Sequence, residues 1–200
     1  MIQPIVLAAG LGTRLGAVKA LLLIEDQPAL AIVLKTIRAA GLNSPIVVLG
    51  HDVKAIREAV NLAKCKVVVN EHPELGLSES MKLGLNAIDK DATGVLVFHV
   101  DMPYLAAATI VAVVQKVARG VPIAAPSYGG NRGFPVYFDI SQIDALSKSL
   151  HGDSGGRDFL ALHSKGLTRI PVNDPGCVFD IDRPSDLDAW KGEPLCSINE

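Results

Sequence analysis

The sequence has few cysteines, little net charge and no long apolar run. Its three cysteines, Cys65, Cys177 and Cys196, are scattered and odd in number, which argues against a disulfide framework and a zinc site. A net charge of −2 excludes a broad basic surface and disfavours nucleic acid as a partner. No apolar run approaches the roughly 20 residues of a membrane helix, and the start lacks the basic region of a secretory signal. We therefore expect a cytoplasmic protein with no membrane partner and with buried or incidental thiols.

Apolar residues, by contrast, are plentiful. Of the 200 residues, 49% are hydrophobic and 20% are charged, which is typical of one domain with a full core. We predict that residues 1–192 form this single domain and that residues 193–200 are a loosely attached tail.

Short apolar runs alternate along the chain with segments of helical periodicity. The runs predict strands at 5–7, 45–49, 65–69, 94–100, 123–125 and 167–172. The periodic segments predict helices near 29–40, 53–63, 78–90, 106–119, 141–149 and 155–165. Because the runs are almost continuously apolar, these strands are expected to be buried on both faces. The pattern predicts an α/β fold, with a doubly wound, mostly parallel sheet covered by helices on both faces.

The first apolar run ends in a glycine-rich loop. Lys19 follows this loop, which reads Ala8-Ala9-Gly10-Leu11-Gly12-Thr13-Arg14-Leu15-Gly16. Glycines after a strand let backbone N–H groups approach an anion, and Arg14 and Lys19 add positive charge beyond them. We interpret the segment as a polyphosphate-binding loop; the alternative is a plain tight turn.

Two known glycine fingerprints do not fit this loop. The dinucleotide fingerprint needs its third glycine three residues after the second, where this chain has Leu15. The Walker-type loop needs Gly-Lys-Ser/Thr in succession, whereas Gly16 is followed by Ala17. Neither dehydrogenase-type cofactor binding nor a Walker site is therefore favoured.

Polar residues follow the predicted strands at the edge where ligands bind in open parallel sheets. Asn70 follows one strand, and Ser78 and Ser80 come shortly after it, where a serine either caps the next helix or contacts an anion. Asp101 follows another strand, where it either caps the next helix or binds Mg²⁺ beside substrate phosphates.

A second group of carboxylates lies near the end of the chain. In an extended segment Asp180 and Asp182 point to the same side, so both can face one metal ion. We take Asp182 as the first choice for a second metal ligand, with Asp180 next. Asp186 is better explained as part of a helix start after Pro184.

Six motifs, in this order, resemble those of the molybdenum-cofactor cytidylyltransferases along nearly the whole chain. They lie at 7–10, 76–85, 101–103, 132–136, 152–157 and 180–187. The opening segment is similar to the signature of the wider nucleotidyltransferase superfamily. The resemblance implies a nucleotide-diphospho-sugar-transferase-like, Rossmann-like three-layer sandwich.

The resemblance also implies roles for individual residues. Arg14 and Lys19 would bind phosphates and, with the metal ligand Asp101, form the catalytic set. The nucleotide would contact Leu7, Ala8, Ala9, Gly10, Gly12, Thr13, Arg14, Lys19, Asn70, Ser78 and Ser80. The acceptor would contact Arg132, Gly133, Pro135, Gly152, Asp153 and Arg157. Taken without the resemblance, the segments 129–138 and 152–160 are better explained as ordinary hairpin and cap sequences.

By resemblance, the reaction transfers CMP from CTP to a molybdopterin phosphate, with Mg²⁺, and releases pyrophosphate. A molybdoenzyme or its chaperone would be a further partner. Ala9 favours the cytidylyl and uridylyl branches, since its methyl group leaves less room for a purine. Guanylyl transfer to the same cofactor, sugar-1-phosphate nucleotidyl transfer and a non-catalytic nucleotide-binding regulator are the alternatives. Met102 departs from the glutamine that the family often has after its aspartate.

Overall fold

A computed structural model describes residues 1–10, 12, 15–118 and 120–190. Thr13, Arg14, Cys196 and the predicted tail 193–200 therefore lie outside the described residues. The strands are β1 (Ile2–Ala8), β2 (Leu23–Ile24), β3 (Gln27–Pro28), β4 (Ile46–Leu49), β5 (Lys66–Val69), β6 (Gly94–His99), β7 (Ile123–Tyr128), β8 (Asn131–Arg132), β9 (Val136–Asp139) and β10 (Leu167–Pro171). The α-helices are α1 (Ala29–Ala39), α2 (Val53–Ala59), α3 (Leu77–Asn86), α4 (Ala107–Val117), α5 (Ile143–Ser149), α6 (Arg157–Leu162) and α7 (Pro184–Ala189).

The main sheet confirms the predicted doubly wound, mostly parallel architecture. Its strands lie in the order β10-β7-β9-β6-β1-β4-β5, and β8 pairs with β7. The four neighbours β6, β1, β4 and β5 are mutually parallel, as are β7 and β10. Strand β9 runs antiparallel between β6 and β7. The apolar pattern of 136–138 indicates a strand but not its direction, because an internal strand is apolar in either orientation.

The hydrophobic core lies in two layers, one on each face of this sheet. Along β1, Val6 and Ala8 join one layer, whereas Ile5 and Leu7 join the other, as the two-residue period of a strand requires. Helices α1, α2 and α4 cover the first layer, and α3, α5 and α6 cover the second. The result is the three-layer sandwich implied by the resemblance.

Several helices are shorter than predicted. Helix α2 ends at Ala59 because Val60 is extended, and α3 ends at Asn86, before the predicted residue 90. Helix α6 begins at Arg157 because Gly155 has a positive φ of 55°. None of the described helices has both the length and the apolar character needed to cross a membrane.

The start of α4 depends on a buried carboxylate far along the chain. Asp174 accepts hydrogen bonds from Ala106 N at 3.0 Å, Thr109 Oγ1 at 2.6 Å and Gly176 N at 2.9 Å. Asp101, which the sequence offered as a cap for this helix, is not its cap. The structure therefore removes the capping explanation for Asp101.

Replacing this buried carboxylate is expected to destabilise the fold. In Asp174→Ala three donors lose their acceptor, so the free energy of unfolding should fall by about 3 kcal/mol. Urea denaturation at neutral pH measures the change. Asp188→Ala, at an exposed position on α7, serves as the control and should change stability by less than about 0.5 kcal/mol. Equal stabilities of the two variants would contradict this account.

Candidate functional site

Two cavities open at the carboxyl ends of the central parallel strands. The larger, about 540 Å³, is lined by the glycine loop and is called the loop cavity. The smaller, about 280 Å³, is lined by Arg132 and Arg157 and is called the arginine cavity. Both are lined by Leu7, Leu77, His99 and Asp101. Because β1 and β6 pair directly, with Leu7 opposite His99, these shared residues form one continuous junction between the cavities.

The glycine loop provides one wall of the loop cavity. Ala9, Gly10 and Gly12 all line it, as predicted for a nucleotide contact, whereas Ala8 points into the core on the other face. Gly12 has φ +58°, and its carbonyl accepts hydrogen bonds from Leu15 N at 3.0 Å and Gly16 N at 2.9 Å. A Cβ at Gly12 would overlap the carbonyl of Ala17, so only glycine fits this turn.

Lys19 lines the loop cavity and bridges two carboxylates, one of which, Asp101, belongs to the junction. Its Nζ is 2.6 Å from Asp101 Oδ2 and 2.6 Å from Asp182 Oδ1. The backbone joins the same two segments, since Ile181 N donates to Asp101 O at 2.8 Å. The sequence placed Lys19 on the nucleotide phosphates and the carboxylates on a metal; the structure brings all three together around one point.

The two carboxylates stabilise the charged form of Lys19. Burial lowers the pKa of Lys19, but the charges and hydrogen bonds of Asp101 and Asp182 outweigh it, so the pKa lies above 10.5. A raised folded-state pKa means that the ion pairs stabilise the fold fully below pH 10.5 and are lost only as the pH rises through the folded value. Lys19 is therefore an ammonium throughout the neutral range.

The third carboxylate, Asp180, lines the arginine cavity near the same point. Burial and the charges of Asp101 and Asp182 raise its pKa, because three nearby carboxylates disfavour one another's ionisation. Asp186 has a structural role: it accepts from Asp182 N at 2.8 Å and Arg183 N at 2.7 Å, within a capping box at the start of α7. This confirms the helix-start interpretation of Asp186 and fixes the backbone of Asp182.

The carboxylates Asp101 and Asp182 fit a hard divalent cation. One carboxylate oxygen of each residue lies 2.6 Å from the Lys19 ammonium, so both residues can bind a single cation. Within the described residues, no group of three or more histidine, cysteine or acidic side chains could by itself hold a metal ion. A metal here would therefore need substrate oxygens to complete its ligands, as Mg²⁺ commonly does.

The predicted polar residues after β5 support the floor of the loop cavity. Buried Asn70 donates to Ser80 Oγ at 2.9 Å and accepts from His72 N at 2.9 Å, and Ser80 lines the cavity. Ser78 donates to His151 O at 2.9 Å and accepts from Gly155 N at 3.2 Å. Asn70 and Ser78, which were also predicted to contact the nucleotide, line neither cavity. Ser80 links α3 to Asn70, and Ser78 links α3 to the segment 151–155.

The interpretation of these serines as helix caps is wrong. The first amide of α3, Leu77 N, donates instead to Asp153 Oδ1 at 2.9 Å. Gly76 allows this approach: its φ is +94°, and a Cβ there would lie 2.7 Å from Gly152 O. A cap supplied from 76 residues away leaves no local signal in the sequence.

The six residues assigned to the acceptor fall into three places. Arg132 and Arg157 line the arginine cavity. Gly133 and Pro135 are buried behind it, where a Cβ on Gly133 would overlap Cys177. Gly152 and Asp153 line the loop cavity instead.

The sequence reasoning missed His99 and Phe134. His99 lies at the junction, and its ring meets the edge of Phe134 at a centroid distance of 4.4 Å. Burial lowers the pKa of His99; the charge of Asp101 opposes this effect, and that of Lys19 adds to it. The sequence feature that could have identified His99 is its position at the end of an apolar strand, two residues before Asp101.

The cysteine prediction is confirmed for the two cysteines that the structure describes, since Cys65 is a partly buried free thiol and Cys177 a fully buried one.

Removing the distant cap should weaken the loop beneath the cleft. Asp153→Ala leaves Leu77 N without its acceptor and should lower the free energy of unfolding by about 1 kcal/mol. Asp153→Asn keeps an oxygen in place and is the matched control. Chemical denaturation of both variants measures the difference; an alanine variant as stable as the asparagine variant would contradict the capping role.

Two curated proteins are similar to this chain over most of its length. The chain is 28% identical over 186 residues to nicotine blue oxidoreductase of Paenarthrobacter nicotinovorans, covering 89% of this chain and 90% of that protein. It is 25% identical to phosphoenolpyruvate guanylyltransferase of Sphaerobacter thermophilus, covering 80% and 75% of the two chains.

The fold is similar to those of solved structures. Rv0371c of Mycobacterium tuberculosis is similar with a TM-score of 0.81 and 31% identity, covering 94% of this chain and 96% of that one. Its complex with manganese is similar with a TM-score of 0.80 and 28% identity, covering 94% and 96% of the two chains. The MobA-like NTP transferase domain matches residues 4–167, and the chain therefore belongs to the MobA-like NTP transferase family.

Proposed function

We propose that this protein transfers a nucleoside monophosphate, CMP from CTP in the favoured case, to the phosphate of a small acceptor and releases pyrophosphate. The favoured acceptor is molybdopterin, and a molybdoenzyme or its chaperone would receive the product. One observation carries the proposal: two cavities meet at Asp101, beside an ammonium held between two carboxylates. Two substrates bound in these cavities would have their reacting groups at that junction.

The nucleotide belongs in the loop cavity. Backbone at Gly10 and Gly12 lies along it, and Lys19 supplies a positive charge at its inner end. Backbone amides and an ammonium together suit a triphosphate. Ala9 is buried against the same cavity, and its methyl group limits the room for a base, which supports a pyrimidine. Thr13 and Arg14, also proposed as phosphate ligands, lie outside the described residues.

A divalent metal ion, proposed to be Mg²⁺, would be held by Asp101 and Asp182, with Asp180 as the neighbouring alternative to Asp182. Their oxygen donors and their shared approach to one cation support this assignment. The manganese complex of the similar Rv0371c is consistent with a divalent ion in this kind of protein. When bound, the metal would neutralise charge on the triphosphate.

The transfer needs no covalent enzyme intermediate. An oxygen of the acceptor phosphate attacks the α-phosphorus of the nucleotide, and the bond between that phosphorus and the bridging oxygen breaks, so pyrophosphate leaves with the electron pair. Lys19, charged at neutral pH, stabilises the negative charge that shifts toward the leaving group. The shared residues at the junction keep the two substrates in line.

Pyrophosphate release tests this proposal. The wild-type protein is incubated with each of the four NTPs, with and without molybdopterin, in the presence of Mg²⁺. The proposal predicts release that requires both substrates and is fastest with CTP. Fastest release with GTP would indicate guanylyl transfer. Release from an NTP only when a sugar 1-phosphate replaces molybdopterin would indicate the sugar-nucleotide class.

Two results would contradict nucleotidyl transfer itself. Nucleotide binding without pyrophosphate release from any pair of substrates would indicate a non-catalytic regulator. Redox conversion of nicotine blue, again without pyrophosphate release, would indicate the type of activity for which the relative from Paenarthrobacter nicotinovorans is named.

A further inference from the structure

The ring of His99 is a polar group in the cleft that forms no hydrogen bond with the described residues. Its contact is with Phe134, against which it packs edge-on at a centroid distance of 4.4 Å. His99 is partly exposed, and among the described side chains the fully enclosed polar atom without a partner belongs to Arg132. The ring nitrogens of His99 are therefore accessible from the cavities that the residue lines. Imidazole carries at least one N–H donor in either protonation state, so a bound ligand can accept a hydrogen bond here.

The sheet fixes the position of this ring. His99 is the last residue of β6 and pairs with Leu7 of the parallel strand β1. The chain turns directly after it, where Met102 N donates to His99 O at 3.4 Å. Behind the ring lies a void of about 10 Å³, whose lining is apolar apart from His99 itself and Thr36. The ring thus has a fixed base and a mostly apolar backing, which leaves the cleft as the side on which a polar partner can bind.

Four described residues line both cavities, and His99 is the one of these four whose side chain can donate a hydrogen bond at neutral pH. Leu7 and Leu77 are apolar, and the ionised carboxylate of Asp101 only accepts hydrogen bonds. In an in-line transfer, the attacking and leaving oxygens lie along the axis that joins the cavities, and the non-bridging oxygens of the phosphorus lie around it. Because those oxygens carry negative charge, a donor in the wall of the junction stabilises them.

We propose that His99 is a catalytic residue whose ring N–H donates a hydrogen bond to a non-bridging oxygen of the nucleotide α-phosphate during transfer. The proposal rests on nucleotidyl transfer, which brings the α-phosphorus to the junction. His99 neither takes nor gives a proton in this role, and the bonds that form and break are those of the transfer described above. Because the hydrogen bond acts on the reacting phosphoryl group, its loss should lower kcat more than it weakens nucleotide binding.

Pyrophosphate release by variants of His99 tests the role in transfer. His99→Leu removes both ring nitrogens and keeps an apolar side chain, so kcat should fall about 10- to 100-fold, as expected for a lost hydrogen bond to a charged group. His99→Asn and His99→Gln each place an amide donor near one of the two ring nitrogens, and at least one of them should recover part of this loss. His163→Leu, at an exposed position that lines neither cavity, is the matched control and should retain wild-type turnover.

Binding and stability measurements separate this role from a structural one. The dissociation constant of a CTP analogue with a methylene group in place of the α,β-bridging oxygen should change less than about threefold in His99→Leu. The unfolding midpoint of His99→Leu should equal or exceed that of the wild type, because an apolar group replaces a polar ring without a partner. A variant that loses nucleotide binding and several degrees of stability together would overturn the inference.

NMR spectra of isotope-labelled histidine rings test the contact without turnover. The signals of the His99 ring are identified by their absence from the spectrum of His99→Gln. Addition of the same CTP analogue with Mg²⁺ should shift these signals in the wild type. Addition of pyrophosphate, which has no α-phosphate, should shift them less, and the signals of His163 should stay in place.

Failure of this inference and failure of the proposed function give different results. If the wild type and His99→Leu release pyrophosphate at the same rate, nucleotidyl transfer stands and the role of His99 is wrong. If the analogue binds and the His99 signals do not move, the inference is overturned even where His99→Leu is slow. If the signals move but no substrate pair releases pyrophosphate, the contact with the nucleotide stands, whereas nucleotidyl transfer and the catalytic role fail together.

Discussion

Asp101→Asn is expected to reduce kcat/KM for nucleotidyl transfer by about 10²- to 10³-fold, the range for loss of a preorganised electrostatic group. The side chain at this position lies where the two cavities meet and pairs with Lys19 at 2.6 Å. Asparagine keeps the shape but removes the charge that a metal ion and Lys19 require. Its backbone carbonyl still accepts from Ile181 N, so the segment keeps its position.

Steady-state pyrophosphate release measures this loss. Asp144→Asn is the matched control, since Asp144 pairs with Lys148 on the exposed surface of α5 and its side chain is 80% exposed. The control should retain wild-type turnover. The thermal stability of Asp101→Asn should stay close to that of the wild type, because removing one of three neighbouring carboxylates relieves repulsion. Turnover within a factor of a few of the wild type would exclude Asp101 from the reaction.

Lys19→Met is expected to lower turnover about a hundredfold, again by loss of a charge-stabilising donor. The substitution also removes an ammonium that binds Asp101 and Asp182, so their mutual repulsion increases. We therefore expect a lower unfolding midpoint for Lys19→Met at neutral pH, and a larger increase on addition of Mn²⁺ than the wild type shows.

The Mn²⁺ response makes this second prediction specific. An ammonium and a divalent cation compete for the same two carboxylates, so removal of Lys19 should strengthen metal binding in the absence of nucleotide. Lys148→Met, which removes an exposed lysine of α5, is the control and should resemble the wild type in both turnover and metal response. Wild-type turnover in Lys19→Met would show that this lysine does not take part in the transfer.

Much of the fold follows from local patterns. The nearly continuous apolar runs predicted β1, β4 and β6, because both faces of these strands are buried. The expectation of burial on both faces is wrong for the edge strands β5 and β10, whose residues are partly or fully exposed. The direction of β9 could not be predicted, since residues 136–139 pair with β6 and β7 only through long-range contacts. Likewise, the cap that Asp153 supplies to α3 depends on two segments 76 residues apart.

The sequence singled out several residues that line the candidate site, but not His99, Phe134 or the contacts within the site. Motif spacing identified Lys19, Asp101 and Asp182, because each follows a strand or loop at the ligand-binding edge of the sheet. It gave no indication that Lys19 lies between the two carboxylates, since 82 and 163 residues separate them from it. The buried, unpartnered nitrogen of Arg132 and the junction position of His99 are also visible only in three dimensions.

We expect the two cavities to hold two substrates whose reacting groups meet at Asp101. A crystal structure with Mn²⁺ and a CTP analogue whose α,β-bridging oxygen is replaced by a methylene group tests it most directly. We expect the triphosphate to lie along Gly10 and Gly12, the anomalous signal of Mn²⁺ to lie beside Asp101, and the α-phosphorus to face an open arginine cavity. A nucleotide bound in the arginine cavity, or an α-phosphorus remote from Asp101, would contradict it.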